Sequence, residues 1–187
     1  MTIILTTIGA YLIGSFPTAF LFSKLLYRKN ILQEGSGNVG TLNFLRVSKS
    51  RGISVAVLLI DMGKGFLTIW IASKIVQPPQ FVFPVVGVIV GHVFPVWLKG
   101  KGGRGLATLA GVFLFLEPVL FVYWWVCFGV LYLFLRKYIV AGVLALLLVN
   151  VLTLVFLDKS VFVILSAASI IVLYKYIPRV KEELTMT

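Results

Sequence analysis

Residues 138–157 read YIVAGVLALLLVNVLTLVFL, an uninterrupted stretch with no charged side chain. At about 1.5 Å per residue, a helix of roughly 20 residues spans the ~30 Å hydrocarbon core of a bilayer. The stretch does not alternate apolar and polar residues, as the ~10-residue strands of a membrane barrel do. An open sheet edge is excluded from lipid, because its N–H and C=O groups would find no partners there. A transmembrane helix is what remains, and the same reading extends in both directions along the chain.

Upstream lie Ile3–Leu26, Ile53–Val76, Phe81–Leu98, Leu106–Leu116 and Val119–Leu135, and downstream lies Val161–Ile177. Pro78-Pro79 bounds the third run, Glu117-Pro118 breaks the pattern after the short fourth, and Pro178 is expected to end the last. The expectation is an all-α membrane protein with seven transmembrane helices, in one domain covering residues 1–187. Composition agrees: 60% of the 187 residues are hydrophobic and only 12% are charged. Soluble domains are ~45–50% apolar and ~25% charged, so a soluble or disordered chain is excluded. No basic stretch precedes the first apolar run, which therefore reads as a permanent span rather than a cleaved leader. Cys127 is the sole cysteine, so it has no intrachain disulfide partner and no second thiol for a metal site.

The net charge of +11 sorts by loop. Arg28, Lys29, Arg46, Lys49 and Arg51 lie between the first two runs, and Lys99, Lys101 and Arg104 between the third and fourth. Arg136 and Lys137 join the fifth and sixth, and Lys175, Arg179 and Lys181 lie in the tail. The intervening loops hold only Lys74 and Lys159. By the positive-inside rule the amino terminus is outside and the carboxyl terminus cytoplasmic. The basic residues flank spans rather than forming a separate domain, which argues against a nucleic-acid partner.

The uncharged polar residues crowd the same side. Between the first two runs, Gly35-Ser36-Gly37-Asn38-Val39-Gly40-Thr41-Leu42-Asn43-Phe44-Leu45-Arg46 combines glycine turns with neutral donors and an arginine. Successive backbone N–H groups in such turns can converge on an anion, and a guanidinium binds phosphate through two donors. An ordinary re-entrant turn accounts for the glycines equally. Between the third and fourth runs, Lys99-Gly100-Lys101-Gly102-Gly103-Arg104-Gly105 mixes cations and glycines just before a helix start, itself a site for anions. A flexible cytoplasmic turn is the other reading, and the spacing is not that of a Walker A loop.

Asp61 and Lys64 stand at i and i+3 within the second run, where they can pair on one helix face. Ionisable residues in a span cost about 2.5–3.5 kcal/mol on insertion scales, which makes them functional candidates; a neutralised packing pair is the alternative. Gly14-Ser15-Phe16-Pro17-Thr18 is a polar kink in the first run, whose freed backbone groups neighbouring helices must satisfy. The single histidine, His92, precedes the cationic loop. Without a second histidine or a carboxylate cluster, no metal centre is expected.

Together these segments resemble the bacterial acyl-phosphate:glycerol-3-phosphate acyltransferases. The resemblance rests on Gly35–Arg46, on Asp61-Met62-Gly63-Lys64-Gly65, and on Gly91-His92 through Gly105-Leu106-Ala107-Thr108. Gly14–Thr18 is similar to that family's first-span motif. The resemblance implies an inner-membrane enzyme with a cytoplasmic active face and no cofactor, working as a monomer. It would transfer a fatty acyl group from acyl phosphate to the 1-hydroxyl of glycerol 3-phosphate, giving lysophosphatidic acid. Ser36, Arg46 and Lys101 are then the candidate catalytic residues. Gly35, Gly37, Asn38, Gly40, Thr41, Asn43, Asp61, Lys64, His92, Gly102, Gly103, Arg104 and Gly105 are the candidate substrate-binding residues.

The chain departs from the family in three places. It has Gly40-Thr41-Leu42-Asn43 where the family usually has Gly-Ala-Thr-Asn, and Arg104 where lysine is usual. Its tail, Tyr174–Glu183, lacks the family's His and Asn, so no role carries over there. Two other classes fit the sequence. One is a non-catalytic or altered-substrate paralogue that binds phosphate-bearing lipids or metabolites. The other is a small transporter, for which Asp61 with Lys64 is the main support.

Overall fold

A computed structural model describes residues 1–185. Among these residues every regular element is helical. The helices are α1 (Thr2–Ser15), α2 (Thr18–Tyr27), α3 (Thr41–Ser48), α4 (Arg51–Ala72), α5 (Val82–Val93), α6 (Leu106–Leu116), α7 (Pro118–Leu135), α8 (Tyr138–Phe156) and α9 (Lys159–Thr185). Short 3₁₀ turns at Pro78–Phe81 and Val96–Leu98 extend α5 at both ends. Six stretches are long and apolar enough to cross a membrane, with α1 and α2 counted as one; α6, with 11 residues, is shorter.

Large apolar side chains cover the outside. Phe134 is 83% exposed, Phe156 70% and Ile170 67%. In water such a surface would drive association, whereas lipid tails solvate it. The interior is held by close helix crossings. α1 lies along α5 and α4 along α6. A Cβ on Gly14 would collide with the Val88 carbonyl, and one on Gly91 with the Tyr11 carbonyl. Gly65 and Gly111 meet the carbonyls of Thr108 and Met62 in the same way. Backbones that approach this closely gain dispersion contacts that lipid cannot replace. α5 is the hub, with Val85, Val88 and Ile89 fully buried. α7 is peripheral; only Leu120 of its 18 residues is buried.

Two elements differ from the sequence expectation. Pro178 does not end the last helix, because α9 runs through it to Thr185. A proline removes one N–H donor and crowds the carbonyl four residues back. Here that carbonyl belongs to exposed Tyr174, and Pro178 is itself exposed, so solvent can satisfy the freed group. Glu183 then ties the extension down, accepting hydrogen bonds from the N–H groups of Ile139 (3.2 Å) and Val140 (2.8 Å) at the start of α8. The second difference is α3, a helix within what reads as a continuous glycine-rich loop. Gly40 is extended, and the first helical bond runs from Phe44 N–H to its carbonyl at 3.0 Å.

Four of the loop cations occupy left-handed helix ends: Arg28 (φ 54°), Lys49 (φ 57°), Lys99 (φ 50°) and Arg136 (φ 54°). This conformation costs a non-glycine residue about 1–2 kcal/mol. A cation at the negative end of a helix offsets part of that cost.

Candidate functional site

The centre of the site is the break between α1 and α2. Pro17 cannot donate a hydrogen bond, and Phe16 leaves its carbonyl outside the helix. Lys64 Nζ donates to that carbonyl at 2.7 Å, and the ammonium also pairs with Asp61 Oδ1 at 2.7 Å. Thr18 Oγ1 donates to the same carboxylate oxygen at 2.9 Å. Asp61 and Lys64 therefore form the pair that their spacing predicts, and the proline kink finds its partner in α4. His92 Nδ1 stands 4.0 Å from Asp61 Oδ1, at the edge of the cluster. Asp61, Lys64 and His92 are all buried. Together with Ser15, Val39, Gly102 and Gly103 they line a cavity of ≈ 10 Å³, room for about one water. The Ser15 hydroxyl is buried there without a protein partner.

The two glycine/cation loops sit over this cluster and touch each other. A Cβ on Gly103 would collide with His92 Nε2 and would stand 2.9 Å from the Val39 carbonyl. Only glycine fits where the second loop passes between the histidine and the first loop. Gly102 is equally confined, against the His92 carbonyl. At Gly35 the backbone is left-handed (φ 58°), and a side chain would run into Asn43 Oδ1.

Most turn N–H groups do not point at an anion, contrary to the nest expected from the glycines. Ser36 N–H donates to Asn43 Oδ1 at 2.8 Å, and Gly37 N–H to the Glu34 carbonyl at 3.0 Å. Gly102 and Gly103 donate to the carbonyls of Val93 (3.2 Å) and His92 (3.0 Å). In these tight turns the four donors are already committed. The donors that precede any helical bond are those of the first turns of α3 and α6, reached through Gly40 and Gly105. Asn43 is likewise committed: its amide donates to the carbonyls of Ile31 (3.2 Å) and Glu34 (3.0 Å). It shapes the Ser36 turn from beneath.

The cations gather at one edge. Arg46 donates to the Tyr138 hydroxyl at 3.2 Å. The Arg104 guanidinium lies over the Tyr176 ring, 5.3 Å from its centre. Burial pushes the Arg104 pKa below its ordinary value and Arg179 pushes it the same way, while Tyr176 and Tyr138 oppose the shift. Tyr138 thus neighbours both arginines. Arg179 pairs with Glu182 through a short contact, and its Nε is buried without a partner. Lys101 is exposed at the loop tip, while Ser36, Asn38 and Thr41 are half-buried.

A family model described as Glycerol-3-phosphate acyltransferase matches residues 4–185. The chain belongs to the glycerol-3-phosphate acyltransferase family. It is 34% identical over 185 residues to the glycerol-3-phosphate acyltransferase of Staphylococcus aureus (strain bovine RF122 / ET3-1), covering 94% of this chain and 91% of that one. It is 41% identical over 108 residues to the enzyme of that name from Syntrophomonas wolfei subsp. wolfei, a match of 58% of this chain and 55% of the relative. The fold is similar to that of PlsY (YgiH), described as an integral membrane glycerol 3-phosphate acyltransferase, in its glycerol 3-phosphate form. The TM-score is 0.89 at 26% identity, covering 99% of this chain and 93% of that one. The lysophosphatidic acid form of the same protein gives a TM-score of 0.87 over the same shares.

Sequence reasoning missed several members of the site. Thr18 was quoted in the kink motif, yet its bond to Asp61 depends on how α2 docks against α4. Tyr138 and Tyr176 look like span-end aromatics, and only the packing of α8 and α9 brings them to the arginines. Arg179 counted as a tail charge.

Proposed function

We propose that the chain transfers a fatty acyl group from acyl phosphate to the 1-hydroxyl of glycerol 3-phosphate, forming lysophosphatidic acid. The observation that carries this reading is the contact of the two glycine/cation loops at Gly103 and Val39, with Arg46 bonded to Tyr138 and Arg104 against Tyr176. Two phosphate-bearing substrates need two adjacent cationic cradles, and the family membership says which reaction joins them. The hydroxyl oxygen forms a bond to the acyl carbonyl carbon, the carbon–oxygen bond to phosphate breaks, and the proton leaves with the phosphate. Acyl phosphate is already activated, so alignment and charge stabilisation supply most of the catalysis.

In this reading Ser36, Arg46 and Lys101 stabilise charge on the carbonyl and the departing phosphate. Asn38, Gly40, Thr41, Gly102, Arg104 and Gly105 hold the substrates. Gly35, Gly37, Asn43 and Gly103 fix the loops, and Asp61, Lys64 and His92 support them from below. The whole chain acts as one domain and as a monomer in the bacterial inner membrane. It crosses seven times, with α6 as a short crossing aided by its loop. The charge asymmetry supports an external amino terminus and a cytoplasmic active face.

The test supplies purified protein with a long-chain acyl phosphate and radiolabelled glycerol 3-phosphate. Lysophosphatidate is expected, with no product when acyl-CoA replaces acyl phosphate. Saturable glycerol 3-phosphate binding with no product would favour the binding paralogue, and solute flux in proteoliposomes would favour a transporter.

A further inference from the structure

Arg104 stands in an unusual setting. Gly100, Gly102 and Gly103 precede it and Gly105 follows it. Gly100 and Gly105 are left-handed, at φ 76° and 89°. The side chain is half-buried, yet among the described residues no carboxylate pairs with it. The two nearby tail carboxylates are committed elsewhere, Glu182 to Arg179 and Glu183 to the start of α8. Arg179, one helical turn beyond Tyr176, repels it. Tyr176 holds the guanidinium, through its ring and through its hydroxyl.

That choice of partner has a chemical consequence. A carboxylate would take two of the in-plane N–H donors of the guanidinium, whereas Tyr176 engages it through its ring and its hydroxyl and leaves most of them free. We propose that Tyr176 is a positioning residue for glycerol 3-phosphate: its side chain, carried on α9 just before Pro178, fixes the plane of Arg104 so that the free donors meet the substrate phosphate. The proposal rests on the acyltransferase reading above and names which part of the tail serves the substrate. Arg46 likewise meets a tyrosine, donating to the Tyr138 hydroxyl.

A double-mutant cycle tests it, with Tyr176→Leu, Arg104→Lys, the double variant and Tyr176→Phe. A cation–ring contact of this kind corresponds to roughly 2- to 30-fold in an equilibrium constant. Tyr176→Leu is therefore expected to raise the KM for glycerol 3-phosphate within that range, with kcat and the KM for acyl phosphate changed less than about two-fold. Tyr176→Phe keeps the ring and should lose clearly less than Tyr176→Leu. In the Arg104→Lys background, loss of the ring should have little further effect, since an ammonium has no plane to orient.

Equal losses from Tyr176→Leu in both backgrounds, or a Tyr176→Phe variant as impaired as Tyr176→Leu, would overturn the proposal. If Tyr176→Leu fails to fold, Tyr176→Met in both backgrounds runs the same cycle. Calorimetric binding of glycerol 3-phosphate to the same proteins repeats it without turnover. A wild type that binds but makes no lysophosphatidate therefore sinks the reaction and leaves the role of Tyr176 to be decided by the binding cycle.

Discussion

Replacing Lys64 with methionine removes one half of an ion pair that lies inside the helix bundle. Asp61 and Lys64 are 2% and 7% exposed and 2.7 Å apart, so little solvent screens them. In Lys64→Met the Asp61 carboxylate keeps only the Thr18 hydroxyl at 2.9 Å. The Phe16 carbonyl keeps the Thr18 N–H at 3.1 Å, so its share of the loss is small. Leaving one buried charge unpaired costs about 3–5 kcal/mol, a large part of the ~5–15 kcal/mol that holds a typical domain together. Replacing both partners, as Asp61→Asn with Lys64→Met, removes the charge while keeping a polar group for Thr18. Such exchanges are near neutral, so the double variant should lie within about 1 kcal/mol of the wild type. Reversible unfolding by sodium dodecyl sulfate in mixed micelles reads both values. A Lys64→Met protein as stable as the wild type, or a double variant as unstable as the two single losses combined, would refute the reasoning.

Other perturbations have equally definite outcomes. Arg46→Ala should lower kcat by about 100- to 1,000-fold, the usual cost of losing a donor to developing charge, in the acyl phosphate assay. Asn43→Ala strips Ser36 N–H of its acceptor and two carbonyls of their donor; a destabilisation of about 1–3 kcal/mol and a fall in kcat are expected from unfolding and turnover measurements. Gly103→Ala forces a methyl group against His92 Nε2 and the Val39 carbonyl, costing about 1–3 kcal/mol of overpacking. Its activity should fall more than its stability, because the two loops are driven apart. Pro178→Ala restores an N–H inside α9 and should stabilise the protein by up to ~3 kcal/mol in the same unfolding assay.

The span positions were legible because hydropathy and helix punctuation are local signals. Leu106–Leu116 matches α6 residue for residue, and Tyr138–Leu157 differs from α8 only at its end. The Asp61–Lys64 pair was legible for the same reason, since both residues belong to one helix. Pro178 does not end α9 because Tyr174, whose carbonyl it frees, is exposed and Glu183 bonds the extension to α8, and both are properties of the packed bundle. The glycine loops carry a local signal whose physical reason the structure enlarges. Glycines predict freedom of the backbone, while here Gly102 and Gly103 are needed for clearance against His92. Tyr138 and Tyr176 carried no local signal. Aromatic residues are common at span ends, and what sets these two apart is the arginine each one meets across the bundle.

The kink at Phe16-Pro17 also bears on how the protein is made. α4 carries an aspartate and a lysine into a lipid phase that favours neither. Within α4 the two charges cancel one another as soon as the helix winds, because they lie one turn apart. Their remaining partners, the Phe16 carbonyl and the Thr18 hydroxyl, belong to the segment synthesised before α4. During vectorial synthesis the waiting kink offers a polar berth, and α4 never has to wait in lipid for a partner still to be translated. His92 and the second glycine loop follow α4 in the chain and join a pair that has already been neutralised.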